Sequence, residues 1–138
     1  MKLSILITLL NEELVLAQTH KAISEKLESM ILSEELSDYE ILYVDDGSSD
    51  STLKLIDAIA DENPRVKYIS FSRNFGRESG ILAGFKYATG DAVMVMDGDL
   101  QHPPYLIPLF VEAYKEGYDI VSGQRSREGE SFVGSFFA

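Results

Sequence analysis

Short apolar runs alternate along the chain with longer segments in which apolar residues recur every three or four positions. Five runs have the length and β-branched content of buried strands, and they cover residues 3–8, 39–44, 66–71, 92–96 and 118–122. The segments between them have the period of amphipathic helices. Strands that alternate with helices of about a dozen residues predict an α/β fold, a three-layer sandwich with a mostly parallel central sheet.

Three of the predicted helices carry patterns that indicate how they pack. The first places His20 on an apolar stripe, where we expect a half-buried, hydrogen-bonded histidine and not a ligand. A stripe of small residues on the third indicates close packing on the sheet, and it consists of Gly80, Ala83, Gly84 and Tyr87. The fourth opens at a proline pair, and its predicted apolar face consists of Leu106, Leu109, Phe110, Ala113 and Tyr114.

Pairs of carboxylates follow two of the predicted strands. Asp45 and Asp46 come directly after the second, and Asp97 and Asp99 end the fourth. Ligands of open α/β sheets bind beyond the carboxyl ends of the strands. With one residue between them, Asp97 and Asp99 can turn hard oxygen ligands toward a single magnesium or manganese ion, and Gln101 offers a neutral third oxygen. Each pair can also be a polar turn, so neither establishes a site by itself.

Composition narrows the classes of function. The 138 residues predict one domain, and a formal charge of -11 disfavours nucleic acid as a partner and unaided docking to an anionic membrane. The absence of cysteine fits a reducing cytoplasm. The apolar run at 3–10 is too short for a signal peptide, and no later run has the length of a membrane span.

Three ordered motifs carry a resemblance to a known family. They are Asp45-Asp46-Gly47-Ser48-Ser49-Asp50-Ser51-Thr52, Ser72-Arg73-Asn74-Phe75-Gly76 and Asp97-Gly98-Asp99-Leu100-Gln101-His102-Pro103-Pro104. Together they resemble the inverting glycosyltransferases with the GT-A fold, and most closely the polyprenyl-phosphate sugar synthases, which include dolichol-phosphate mannose synthases and bactoprenol glucosyltransferases. The resemblance covers essentially the whole chain. It implies that residues 1–138 are the nucleotide-binding half of a Rossmann-like GT-A domain that continues beyond this C-terminal end.

The resemblance also implies roles for individual positions. It places Asp45 and Asp46 beside the base and ribose of a nucleotide sugar, UDP- or GDP-linked. The implied nucleotide-binding set is Thr8, Asn11, Glu12, Asp45, Asp46, Gly47, Arg77 and Asp97. The implied divalent-cation ligands are Asp97, Asp99 and Gln101. The implied catalytic set adds Arg125 and Arg127, which would face an acceptor phosphate, to Asp97 and Asp99. One departure is Leu9-Leu10, where the family usually has proline and an aromatic residue.

The implied reaction is metal-assisted transfer of a hexose, with inversion, from the nucleotide sugar to a polyprenyl phosphate, undecaprenyl or dolichyl. The alternative acceptor is a saccharide hydroxyl in cell-wall or surface polysaccharide synthesis, which requires a carboxylate base. The expected location is the cytoplasm, at the cytoplasmic face of the membrane for a longer parent protein whose C-terminal part would make the membrane contact. Phe132, Phe136 and Phe137 favour self-association into a homo-oligomer.

Three other interpretations compete with a glycosyltransferase. A response-regulator receiver would have a lysine after the fifth strand, where this chain has Ser122-Gly123-Gln124-Arg125. A phosphatase with an Asp-x-Asp nucleophile would carry that motif on its first strand, and here it follows the fourth. The third alternative is a module that binds nucleotide or a partner and catalyses nothing, and the sequence leaves it open.

Overall fold

The computed structural model describes residues 1–99, 101–125 and 132–137, and for residues 124–125 and 132–137 it describes the backbone alone. The chain divides into two compact units, Met1–Pro104 and Tyr105–Ala138. A single domain over residues 1–138 stays a prediction. No helix within the described ranges is long and apolar enough to cross a membrane.

The first unit is a four-stranded parallel sheet with three helices. Its elements are β1 Lys2–Leu9, α1 Leu16–Leu32, β2 Asp38–Asp45, α2 Thr52–Glu62, β3 Val66–Ser70, α3 Arg77–Tyr87 and β4 Ala92–Asp97. The strand order is β3-β2-β1-β4, and every pair is parallel. Strands β1 and β2 are buried at nearly every position because they occupy the centre of the sheet.

Alternate side chains of the central strands pack on helices at opposite faces of the sheet. Leu6, Leu42 and Val44 form a buried cluster on which residues of α3 pack. On the other face, Tyr43 contacts His20 of α1, and the hydroxyl of Tyr39 donates to Glu28 of the same helix. Helices therefore cover both faces, and the predicted three-layer α/β sandwich is confirmed.

His20 is a half-buried residue of this core, as its place on the apolar stripe predicts. Its Nδ1 and the hydroxyl oxygen of Tyr43 lie 2.8 Å apart in a hydrogen bond. Burial lowers the pKa of His20. Burial also raises the pKa of Tyr43, so both groups are held in their neutral forms near pH 7.

Helix α3 follows a buried face slightly different from the predicted one. Gly80 and Gly84 are buried as expected, but Tyr87 is 58% exposed. The next residue to pack against the sheet cluster is Ala88. The positions that contact the sheet, Gly80, Gly84 and Ala88, are thus four residues apart. Tyr87, one position before Ala88, faces solvent instead.

The second unit contains α4 Leu106–Lys115, β5 Ile120–Arg125 and β6 Phe132–Phe137. β5 and β6 form a separate two-stranded antiparallel sheet. The prediction of a fifth strand at 118–122 is wrong in its bounds, and β6 was not predicted. The expected apolar face of α4 is also partly wrong, because Leu109 and Tyr114 are exposed while Ile107 and Val111 are buried.

Candidate active site

The carboxyl ends of the parallel strands bring the predicted site residues to one edge of the sheet. Thr8 lies opposite Asp97 in the β1–β4 register, and Leu9 lies opposite Asp45 in the β1–β2 register. The acidic pairs at 45–46 and 97–99 therefore flank the end of β1 although they are about fifty residues apart in sequence.

A pocket of about 300 Å³ opens at this edge. It is lined by Thr8, Leu9, Leu10, Glu12, Asp46, Asn74, Gly76, Arg77, Asp97, Gly98 and Asp99. Six of the residues proposed for the site from sequence line it, and they are Thr8, Glu12, Asp46, Arg77, Asp97 and Asp99. Leu9 and Leu10 contribute apolar surface where the family resemblance leads one to expect proline and an aromatic residue.

Asp97 is contacted by two nitrogen-bearing side chains. Nη2 of Arg77 donates to its Oδ1 at 3.0 Å, and Nε2 of His102 lies 3.5 Å from its Oδ2. The backbone N–H of Asp97 also donates to Nδ1 of His102 at 2.9 Å, so that nitrogen carries no proton. His102 thus fixes both the backbone and the carboxylate of Asp97.

Asp99 and Glu12 add negative charge to the same pocket. Oδ1 of Asp99 accepts the backbone N–H of Gln101 at 3.1 Å. Burial raises the pKa of Glu12, and the negative charges of Asp99 and Asp50 raise it further. Crowded carboxylates of this kind favour binding of a cation, because a positive charge relieves their mutual repulsion.

The donor set fits a hard divalent cation. Asp97 and Asp99 supply carboxylate oxygens, which magnesium and manganese prefer, and Gln101 adds an amide. Among the described residues, no three His, Asp or Glu side chains already converge as a metal cluster. Two carboxylates would thus be assisted by neutral oxygens and by the phosphates of a ligand, a common arrangement for magnesium.

A side chain of α1 makes a hydrogen bond to the backbone between Asp97 and Asp99. The hydroxyl of Thr19, which is fully buried, donates to the carbonyl oxygen of Gly98 at 3.1 Å. This contact was not predicted from the sequence, because a threonine within a helix carries no signal for a partner 79 residues away.

Asp46 holds the loop that leads into α3. It is 4% exposed, and its carboxylate accepts the backbone N–H groups of Phe75 at 2.7 Å and Gly76 at 3.2 Å. Gly47 lets this loop approach closely, since its φ is 76° and a Cβ there would collide with the backbone of Arg73. Asp45 is buried and accepts the backbone N–H of Ser48 at 3.4 Å.

Asn11 joins the β1–α1 and β2–α2 loops and is not among the residues that line the pocket. It adopts a left-handed conformation with φ 53°, and its Oδ1 accepts the backbone N–H of Ser49 at 2.8 Å and of Asp50 at 3.3 Å. Asn11 lies five residues before the start of α1 at Leu16. The predicted contact of Asn11, Asp45 and Gly47 with nucleotide stays a prediction.

The predicted acceptor arginines belong to the second unit. Arg125 is the last residue of β5, whereas the predicted fifth strand ended at Ser122. Its side chain, and Arg127 altogether, lie outside the described residues. The roles assigned to both arginines stay predictions, as does the self-association expected from Phe132, Phe136 and Phe137, whose side chains also lie outside the described part.

Comparisons with solved structures identify the fold. A mannosyltransferase from Pyrobaculum calidifontis, in complex with GDP-mannose and Mn²⁺, superimposes with a TM-score of 0.63 at 18% identity, covering 82% of this chain and 31% of that one. Staphylococcus aureus TarS 1–349 gives 0.56 at 23% identity, covering 84% and 33%. The fold is therefore that of the GT-A glycosyltransferases, as the motifs predict.

Sequence comparisons identify the family. Residues 4–135 match the family described as glycosyl transferase family 2, and the chain belongs to that family of enzymes. The putative glycosyltransferase CsbB of Bacillus subtilis (strain 168) is 47% identical over 136 residues, covering 99% of this chain and 40% of CsbB. The prophage bactoprenol glucosyl transferase homolog of Escherichia coli (strain K12) is 40% identical over 128 residues, covering 91% and 40%.

The chain thus spans about 40% of the length of these relatives. The family match confirms the resemblance drawn from the three motifs. It excludes the receiver and the Asp-x-Asp phosphatase as alternatives.

Proposed function

We propose that this chain forms the donor-binding part of an enzyme that transfers a hexose from a nucleoside diphosphate sugar to a polyprenyl phosphate. The observation that carries the proposal is the meeting of Asp97, Asp99 and Arg77 in one pocket at the carboxyl edge of the sheet. Carboxylates for a cation and a guanidinium for phosphate are the groups that a diphosphate requires.

The sugar donor would lie across the pocket from Asp46 to Asp99. Asp46 and the apolar surface of Leu10 would face the nucleoside, with Thr8 and Glu12 beside it. Arg77 would contact the diphosphate, and Asp97, Asp99 and Gln101 would hold magnesium or manganese. Asn11, Asp45 and Gly47 would support the nucleoside end by shaping the loops around it.

Relatives favour a lipid phosphate as the acceptor. Several of them, including proteins of Shigella phages SfX and SfV at 40% and 39% identity, are bactoprenol glucosyl transferases. Arg125 and Arg127 would face the acceptor phosphate, since arginine forks match phosphate oxygens in geometry and charge. Such an acceptor implies action at the cytoplasmic face of a membrane.

The reaction is a direct displacement at the anomeric carbon. An oxygen of the acceptor phosphate forms a bond to that carbon from one side, and the bond to the donor diphosphate breaks on the other, so the configuration inverts. A phosphate oxygen is already anionic and needs no general base. A divalent cation, when bound, offsets the negative charge that develops on the leaving diphosphate. Arg77 and the carboxylates orient the diphosphate for departure.

Calorimetric titration with UDP and GDP, with and without MnCl₂, tests the donor site. We expect one of the two nucleotides to bind in a manganese-dependent way, and the Asp97→Asn, Asp99→Asn double variant to lose at least about tenfold in affinity. The matched control is Asp61→Asn, Glu62→Gln, which removes two exposed charges from α2. Equal binding by the double variant and the control would contradict the proposal.

Transfer assays then test the acceptor. The protein is incubated with MnCl₂ and the sugar conjugate of the nucleotide that binds, together with undecaprenyl phosphate or with a saccharide carrying free hydroxyls. Formation of the glycosyl lipid phosphate supports the lipid acceptor. Transfer to the saccharide alone would overturn it in favour of polysaccharide synthesis, and binding without transfer to either would favour a module without catalysis.

A further inference from the structure

Arg77 contacts the carboxylate of Asp97 and would therefore compete with a bound cation for it. Nη2 of Arg77 lies 3.0 Å from Oδ1 of Asp97, which is the carboxylate proposed to hold the cation. Among the described residues, Asp97 is the only ion-pair partner of Arg77. One positive charge of the protein thus occupies a place that a bound cation would need.

Arg77 has a fixed backbone and an exposed side chain. The preceding residue, Gly76, has φ 98°, and its N–H donates to the side chains of Asp46 at 3.2 Å and Asn74 at 2.9 Å. The side chain of Arg77 is 54% exposed, whereas that of Asp97 is 30% exposed. The guanidinium can therefore change partner by rotating its side-chain bonds, without any rearrangement of α3.

Resting on the proposed function, we propose that Arg77 is a stand-in cation that exchanges partners when the donor site fills. Without a divalent ion, Arg77 neutralises Asp97 and limits the repulsion among the pocket carboxylates. When a divalent ion takes the Asp97 carboxylate, Arg77 is repelled from it and turns to the donor diphosphate. An exposed ion pair is weak, so this exchange costs little, and the diphosphate offers the guanidinium a stronger, forked contact.

The exchange predicts effects of opposite sign on two ligands. Arg77 competes with the ion when no nucleotide is present, so its removal strengthens binding of the ion alone. Arg77 assists the diphosphate when the ion is bound, so its removal weakens binding of the nucleotide. If Arg77 merely maintained the fold, its removal would weaken binding of both the ion and the nucleotide. If Arg77 only contacted phosphate, its removal would leave binding of the ion alone unchanged.

Calorimetry on the purified protein measures both quantities. MnCl₂ is titrated alone into the parent, Arg77→Gln and Arg73→Gln, and UDP and GDP are then titrated at saturating MnCl₂. We expect Arg77→Gln to bind Mn²⁺ alone about two- to fivefold more tightly, the range of a surface ion pair, and the nucleotide about tenfold more weakly. Arg73→Gln is the charge-matched control, because its guanidinium stacks on Phe75 and no described ion pair joins it to Asp97.

The outcomes separate this inference from the function on which it rests. If the parent binds no nucleotide in a manganese-dependent way, the proposed function fails and the inference fails with it. If the parent does bind, but Arg77→Gln leaves the affinity for Mn²⁺ alone unchanged or lowers it, only the inference fails. Equal tightening in Arg77→Gln and Arg73→Gln would trace the effect to net charge and overturn the exchange.

Folding is controlled separately. Circular dichroism confirms that each variant is folded, and Arg77→Lys serves as a second variant because it keeps the charge. We expect Arg77→Lys to bind Mn²⁺ alone as the parent does and to recover only part of the nucleotide affinity, since an ammonium lacks the fork of a guanidinium. Tighter binding of Mn²⁺ by Arg77→Lys would contradict the exchange.

Discussion

A buried charged residue with a strongly lowered pKa lies far from the active site, near the amino ends of the strands. Glu40 is 1% exposed and sits opposite Ser4 in the β1–β2 register. Its carboxylate accepts the Ser4 hydroxyl and the backbone N–H of Thr89, both at 2.6 Å, and the ammonium of Lys67 at 3.1 Å. Burial raises the pKa of Glu40, but these hydrogen bonds outweigh it and lower the pKa to about 2.

This depressed pKa predicts a pH-dependent contribution to folding. A carboxylate whose pKa falls from 4.5 to about 2 on folding stabilises the protein by about 3 kcal/mol above pH 4.5. That contribution is lost as the pH falls through the interval from 4.5 to about 2. We expect Glu40→Gln to lower the free energy of unfolding by about 2–3 kcal/mol at pH 7, and urea denaturation at pH 7, 4 and 3 measures it.

The difference between parent and Glu40→Gln should narrow toward acid pH, because the parent then loses the same charge. Glu25→Gln is the control, since the ion pair of Glu25 with Lys21 is exposed and its loss should change stability by less than about 0.5 kcal/mol. A difference that stays constant between pH 7 and pH 3 would show that the Glu40 charge does not stabilise the fold.

At this scale the sequence predicts which residues lie at the site better than it predicts their partners. Asp97 and Asp99 are recognisable because an apolar run ends at them. His102, by contrast, has no sequence signal beyond its place in a motif. Its two contacts with Asp97 require the turn between residues 97 and 102. Thr19 and Glu40 find their partners through the sheet and α1, at separations that no local pattern encodes.

At the scale of elements, α3 is shaped by how closely it approaches the sheet. A Cβ at Gly84 would collide with the side chain of Leu6, which lies in the buried cluster of β1 and β2. A Cβ at Gly80 would come within 2.9 Å of Thr8, a pocket residue. The small-residue stripe therefore sets the position of the helix that begins with Arg77.

Gly84→Ala tests this close approach. We expect a net loss of about 1–2 kcal/mol in the free energy of unfolding, because overpacking costs more than the helix gains from replacing glycine with alanine. Ser79→Ala, at an exposed position of the same helix, is the control and should lie within about 0.5 kcal/mol of the parent. Thermal or urea denaturation measures both, and a Gly84→Ala protein more stable than the parent would refute the packing argument.

The strands that the sequence predicted well are the two at the centre of the sheet, which are covered on both faces. Buried on both faces, β1 and β2 appear as continuous apolar runs, and their bounds match to within one residue. β5 includes Gly123, Gln124 and Arg125, which interrupt any apolar run. A two-stranded antiparallel ribbon does not require burial on both faces, so the apolar run at 118–122 marks only part of β5 and β6 was not predicted.

At the scale of the whole molecule, the net charge of -11 opposes the approach of an anionic ligand. The pocket itself holds Glu12, Asp46, Asp97 and Asp99 against one arginine. Repulsion between like charges is screened by salt, with a Debye length of about 10 Å at 0.1 M. The acidic balance that disfavours nucleic acid thus also leads us to expect that nucleotide binding depends on a neutralising cation.

Metal-free binding of UDP or GDP should consequently strengthen as NaCl is raised from about 20 to about 200 mM, with a fall in Kd of about two- to fivefold. Calorimetric or spectroscopic titrations in a chelator measure this, with saturating MnCl₂ as the comparison, where direct coordination dominates and salt should matter less. A Kd that rises with salt in the chelator would mean that local attraction by Arg77 exceeds the repulsion of the whole chain.

The hydrogen bonds from the β3–α3 loop to Asp46 have an evolutionary consequence. Asp46 holds Phe75 and Gly76 by their backbone, and the residue that follows contacts Asp97. The proposed nucleoside end and the proposed diphosphate end of the pocket are thus connected through one loop, in which Gly76 and Arg77 are adjacent residues. A lineage that altered position 46 to accept a different base would shift Arg77 as well. We therefore expect positions 46, 76, 77 and 97 to covary among relatives. We expect donor preference to vary instead through changes at Leu10, which lines the pocket without belonging to this loop.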